Sequence, residues 1–211
     1  FLEFTKNKNE ARGAIGNLWR SPPGFRESNI SDAVLDVLKR AENKENLGTR
    51  LVVIAISTGL DTFPSIRKNF FEGVIPRVRN NRVVFYPISI GGNLRVRGLE
   101  DYARAGGYGD HMEFQIADNR LRELARASGG KAYFPRFIGE VIANFKDEIL
   151  PRLRKQYSIG YYPKNRNMNG KKRKIEIRLK QEFDVNGDGE INKQDKIEIH
   201  HKKEYYPGKV F

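Results

Sequence analysis

Apolar positions recur at two periods along the chain, and the change of period divides it. Ile30, Val34, Val37, Leu38 and Ala41 fall on one face of a helix, with Ser28 or Asn29 placed to cap it. Leu51 to Ser57 (LVVIAIS) is an unbroken apolar run of strand length, the pattern of a strand buried on both faces. Ile66 to Arg79 predicts a helix with Phe70, Val74 and Ile75 inward, and Arg82 to Ile90 (RVVFYPISI) a second buried strand. Asp118 to Ser128 predicts a helix using Leu121, Leu124 and Ala125. It stops at Gly129-Gly130, before a short strand Lys131 to Phe134. Ile138, Val141, Ile142, Phe145, Ile149 and Leu153 mark a long helix that Pro151 should kink or divide. Strand–helix alternation of this kind implies an α/β fold with a doubly wound, mainly parallel sheet.

After Gln156 the period becomes two. Tyr157 to Tyr162, Arg173 to Leu179 and Lys196 to His200 alternate polar and apolar positions. They predict a small antiparallel β module with one wet face, turning at Pro163 to Gly170 and at an acidic loop. The expected division is residues 1–155 for the α/β domain and 156–211 for the β module. No repeat or low-complexity linker interrupts them.

Composition narrows the chemistry. The chain has no cysteine, which excludes a disulfide framework and cysteine-held zinc. No apolar run approaches the roughly 20 residues of a membrane span. The first residue is Phe1 rather than Met, so the sequence is read as a processed product or fragment. Net charge is +13, and the stretch from Pro151 to Phe211 carries 16 Lys+Arg against 8 Asp+Glu. Lys171, Lys172, Arg173, Lys174, Lys202 and Lys203 form its basic patch, with Tyr205 and Tyr206 beside them for stacking. The histidines (His111, His200 and His201) do not converge, and the glycines at Gly91-Gly92 and Gly106 lack phosphate-loop spacing. The expectation is a protein that is not an enzyme.

One motif has sharp spacing. From Asp184 to Asp195, oxygen side chains occupy loop positions one, three, five, nine and twelve: Asp184, Asn186, Asp188, Asn192 and Asp195. Gly189 takes position six, where the turn needs positive φ, and Glu190 offers its carbonyl at position seven. Ile191 is placed to anchor the loop in the core. A hard dication wants six to eight oxygens, so Ca2+ is the expected cofactor. Asp195 stands where a longer Glu is usual, which predicts weak binding. The pattern resembles the dockerin-type variant of the EF-hand loop. Both flanks are strand-like, so the loop is expected at a hairpin tip, with no helix pair to open.

LVVIAISTGLDT from Leu51, RVVFYPISI from Arg82, LRELARASGGKAYF from Leu121 and LPRLRKQYSIGYYPKNRNMNGKKRKIEIRL from Leu150 carry a family resemblance. They resemble the von Willebrand factor A-like proteins described from acidobacteria, over most of Phe1 to Phe211. The resemblance implies that the first strand of the family's sheet is missing and that the calcium loop is inserted in the last hairpin. It also implies a metal-dependent adhesion site, here degenerate. Ser28 aligns with the family's Thr, Thr58 replaces its Asp, and Asp61 comes three residues late. Without the first strand, the Leu51 strand should expose an apolar edge. The implied role is an exported protein-interaction or assembly domain with structural calcium, bound to a protein partner or a larger assembly. Gly91 to Ile116, with Tyr102, Tyr108, His111 and Phe114, is the expected contact loop. The alternative is a basic surface that binds a polyanion: acidic polysaccharide, nucleic acid or anionic lipid.

Overall fold

A computed structural model describes residues 5, 7–18, 29–42, 51–61, 69–90, 92, 109–157, 159–185, 187–193 and 197–208. Helix α1 spans Lys8–Leu18 and α2 spans Ile30–Ala41. Asn29 caps α2 by accepting the Asp32 N–H at 3.0 Å; Ser28 lies outside the described residues. Strand β1 (Val52–Ser57) pairs in parallel with β2 (Val84–Ser89), in a register running from Val52↔Val84 to Ser57↔Ser89. Between them lie the short helices α3 (Phe70–Gly73) and α4 (Ile75–Asn80). The start of the helix expected from Ile66 to Arg79 lies outside the described residues; the rest is divided at Val74, because Pro76 sits in the first turn of α4 and has no N–H to continue α3.

The apolar runs explain the layers. Leu51, Val53, Val83 and Phe85 pack with α2, α3, α4 and helix α5 (Gly109–Ser128) through Val34, Leu38, Val74, Val78, Leu121 and Leu124. Val52, Ile54, Tyr86 and Ile88 point the other way, against Val141, Phe145, Ile149 and Leu153. Each strand therefore needs apolar side chains at odd and even positions alike, which erases the two-residue alternation.

Behind α5, Gly129 and Gly130 do separate work. Gly129 ends the helix at φ +84°, and a Cβ on Gly130 would sit 1.9 Å from the Phe85 carbonyl oxygen. Ser128 completes this junction: its Oγ accepts the Phe85 N–H and donates to the Ala125 carbonyl, both at 3.0 Å. The expected strand at Lys131 to Phe134 reduces to one residue. Tyr133 bridges Ile88 in parallel, donating to Pro87 O and accepting from Ser89 N at 2.8 Å.

The long C-terminal helix is α6 (Ile138–Ala143), a π-helical turn (Asn144–Ile149) and α7 (Leu150–Arg154). Pro151 falls in the first turn of α7, where its missing N–H coincides with the change of hydrogen-bond pattern.

The β module is smaller than its periodicity predicts. Strands β3 (Arg173–Lys174) and β4 (Glu204–Tyr205) pair antiparallel, and the Ile175 N–H continues the ladder to Lys203 O at 2.8 Å. Lys196 lies outside the described residues, and neither Ile197 to His200 nor Tyr157 to Tyr162 forms a strand among its described residues. The alternation of half-buried and exposed residues persists from Arg173 to Arg178, but Leu179, Phe183 and Ile197 stay exposed. A two-stranded hairpin whose apolar side chains stay exposed gains too little burial to extend its ladder. The chain is therefore a mixed α/β protein with a small parallel two-stranded sheet and a separate antiparallel one. Among the described residues, β1 pairs on one side only, and Ile56 at its end is 60% exposed. No described helix is long and apolar enough to cross a membrane.

Candidate functional site

The C-terminal chain docks on α4 through polar contacts that the sequence does not announce. Arg79 pairs with Glu123 of α5 at 2.7 Å and Glu204 of β4 at 2.8 Å. Asn80 clamps the backbone of Tyr206, accepting its N–H at 2.9 Å and donating to its carbonyl at 3.1 Å. The Lys202 ammonium donates to the Asn81 carbonyl oxygen. Burial works to raise Glu123, but the Arg126 and Arg79 guanidiniums overcome it and hold its carboxyl below the ordinary range. Burial alone pushes Lys202 down to about 8.

Along this seam runs a groove of about 1330 Å³. One wall is α2 and α4, with Leu35, Lys39, Arg77 and Arg79. The other is the β module, with Tyr161, Tyr162, Arg166, Met168, Arg173, Ile175, Lys202, Tyr205 and Tyr206. Arg173 is held by the carbonyl oxygens of Asn165 and Asn167, and its guanidinium stands 6.0 Å from the Tyr205 ring centroid. A hydrogen bond between Tyr161 and Tyr205 pushes the Tyr161 phenol up and pulls the Tyr205 phenol down.

The predicted basic patch is split by strand alternation. Arg173 and Ile175 share the groove side of β3, and Lys202 joins them. Lys174 is exposed, as are Lys171 and Lys203, and Lys172 is paired with Glu204 at 3.4 Å. Sequence reasoning missed Lys39, Arg77, Arg166, Tyr161 and Tyr162 as parts of one site. The adjacent Tyr161-Tyr162 pair was the available signal; in the fold Tyr162 is 94% exposed.

Much of the acidic loop lies within the described residues. Asp184 accepts the Gly187 N–H at 2.6 Å and the Gly189 N–H at 2.9 Å, while Asp188 accepts the Glu190 N–H at 2.9 Å. Gly189 adopts φ +86° and Gly187 φ +75°. Asn186 and Asp195 lie outside the described residues, and no cluster of three or more described His, Cys, Asp or Glu side chains forms. The donors present fit a hard cation in kind: carboxylates, a carboxamide and a carbonyl. Ile191 departs from expectation, being 56% exposed rather than anchored.

At the C-terminal end of β1, Asp61 bridges Asn29 and accepts a hydrogen bond from the buried Ser31 hydroxyl. Its other carboxylate oxygen is buried and has no hydrogen-bond partner among the described residues. Thr58 accepts the Leu60 N–H at 3.4 Å. The structure thus brings Thr58 and Asp61 into one loop beside Ser31, a residue the sequence reading passed over in favour of Ser28. The expected contact loop is shortened, because α5 begins at Gly109 and takes in His111 and Phe114. Tyr102 and Tyr108 lie outside the described residues. His200 pairs with Glu198 at 2.9 Å, and the His201 ring contacts the Lys202 carbonyl.

No protein-family profile, curated protein or solved structure matches the chain.

Proposed function

We propose that the chain is a non-enzymatic interaction module whose recognition surface is the seam groove. The observation that carries this reading is the groove itself: about 1330 Å³, lined by tyrosines, arginines and apolar side chains from both parts of the chain. Tyr and Arg dominate binding hot spots because they offer large, rigid contact areas with polar tips. The scaffold is read as a doubly wound, von Willebrand A-like layer. Helical layers on both faces of β1 and β2 support it, as does the Tyr133 bridge beyond β2. The adhesion site of that family is read as degenerate, since Ser31 already engages the Asp61 carboxylate.

Calcium has a structural part in this reading. Asp184, Asn186, Asp188, Asn192 and Asp195, with the Glu190 carbonyl, would hold it, and the ion would supply charge that cancels carboxylate repulsion at the hairpin tip. The same hairpin carries Arg173 and Ile175 into the groove wall, so pinning its tip steadies that wall. A weak calcium loop suits an exported protein bathed in millimolar calcium.

A photo-crosslinking amino acid at Tyr162 tests the reading in the native producer, with the same probe at exposed Lys146 as control. The expected result is a discrete adduct from Tyr162 only, lost on Arg166→Ala. Equal labelling from both positions, or none from Tyr162, overturns it.

A further inference from the structure

We infer that the groove takes an acidic peptide segment bearing apolar side chains, one carboxylate of which meets the Lys202 ammonium. This rests on the groove being the recognition surface and adds the chemistry of its ligand. The groove is unbalanced in charge. Lys39, Arg77, Arg166, Arg173 and Lys202 line it, besides Arg79, which Glu123 and Glu204 neutralise, against two carboxylates: Asp36, paired with Arg40 at 2.7 Å, and Glu42, which accepts from the Asn81 carboxamide at 3.4 Å. Among the described residues no carboxylate pairs with Lys202, whose ammonium has only the Asn81 carbonyl. A cation held out of water without a counter-charge weakens a fold. A ligand carboxylate at that point supplies the missing charge, and the low Lys202 pKa accords with a site awaiting it.

Two features favour a peptide over a nucleic acid or an acidic glycan. Leu35, Ile175 and Met168 add apolar side chains to the groove lining that a sugar–phosphate backbone or a polyuronate would leave unfilled. Its volume also exceeds the roughly 300–1,000 Å³ of a small-molecule pocket, which suits an extended chain.

Fluorescence anisotropy on the full chain, with labelled peptide pools of equal length, tests this. One pool combines Asp/Glu with Leu/Phe, the second replaces Asp/Glu by Asn/Gln, and the third replaces Leu/Phe by Ser/Gly. Oligothymidylate and oligogalacturonate complete the probes. The first pool should bind about tenfold or more tighter than the others. Lys202→Met and Arg166→Ala should each weaken it by about tenfold, while Lys203→Ala, outside the groove, leaves it unchanged. Arg166 is exposed, so its variant remains informative if Lys202→Met misfolds. Equal binding of the neutral pool, or no binding by any probe, overturns the inference. Tighter binding of oligothymidylate or oligogalacturonate that still depends on Arg166 overturns the peptide and keeps the groove. Binding indifferent to Lys202 and Arg166 overturns both.

Discussion

Replacing Lys202 by Met should make the protein's stability less dependent on alkaline pH. In the fold Lys202 is half-buried at the seam, its ammonium is largely desolvated, and its pKa falls to about 8, against an ordinary value of 10.5. At about 1.4 kcal/mol per pKa unit, the buried charge costs roughly 3 kcal/mol while it persists. The sign follows from proton counting. Below pH 8 both folded and unfolded chains hold the proton, and the cost is felt in full. Between pH 8 and 10.5 the unfolded chain still binds a proton that the fold has released, so stability rises with pH. Above 10.5 the cost has gone. Met carries no charge and shows none of this, though it forfeits the contact to the Asn81 carbonyl, a loss of about 1–3 kcal/mol at every pH. Urea unfolding of both proteins from pH 7 to 10.5 isolates the effect, because tyrosines and other lysines titrate alike in each. The wild-type curve should gain about 2–3 kcal/mol on the variant across that range. Parallel curves would refute the buried, unneutralised ammonium.

Three further outcomes follow from the same contacts. Millimolar calcium against chelator should add about 1–2 kcal/mol, a rise of about 3 °C in Tm, for a loop binding near 0.1 mM, and Asp188→Asn should abolish it; unchanged melting excludes the calcium loop. Gly130→Ala should cost about 3 kcal/mol or more by denaturant unfolding, since its Cβ meets the Phe85 carbonyl at 1.9 Å. Arg79→Met should cost about 2–4 kcal/mol near neutrality by leaving Glu123 and Glu204 short of a partner. With Arg79 present, the depressed Glu123 pKa adds stability above 4.5 that is lost as pH falls through the folded value. The variant's acid-unfolding curve should therefore be shallower.

How much was legible in the sequence depended on how local the cause was. The β1 and β2 runs could be read because a strand packed on both faces shows no alternation. The stop at Gly129-Gly130 and the Asn29 cap are decided within a few residues. The positive φ at Gly189 was likewise written into the loop spacing. The start of α5 was not, because Gly109 to Ala117 lacks a clean apolar stripe. Nor could the partner of β3 be read. Lys202, Lys203 and Glu204 look like solvated charge, yet Lys202 donates to Asn81 and Glu204 pairs with Arg79, each more than a hundred residues away. The groove was hidden for the same reason, since its two walls meet only after that docking.

The claim that joins calcium to the groove is that the pinned hairpin tip steadies the wall carrying Arg173 and Ile175. Hydrogen exchange at the Ile175 amide, which donates to Lys203 O at 2.8 Å, reads this directly with calcium or with chelator. Exchange there should be slower with calcium, with no such slowing in the Asp188→Asn protein. Equal exchange in both conditions would contradict it.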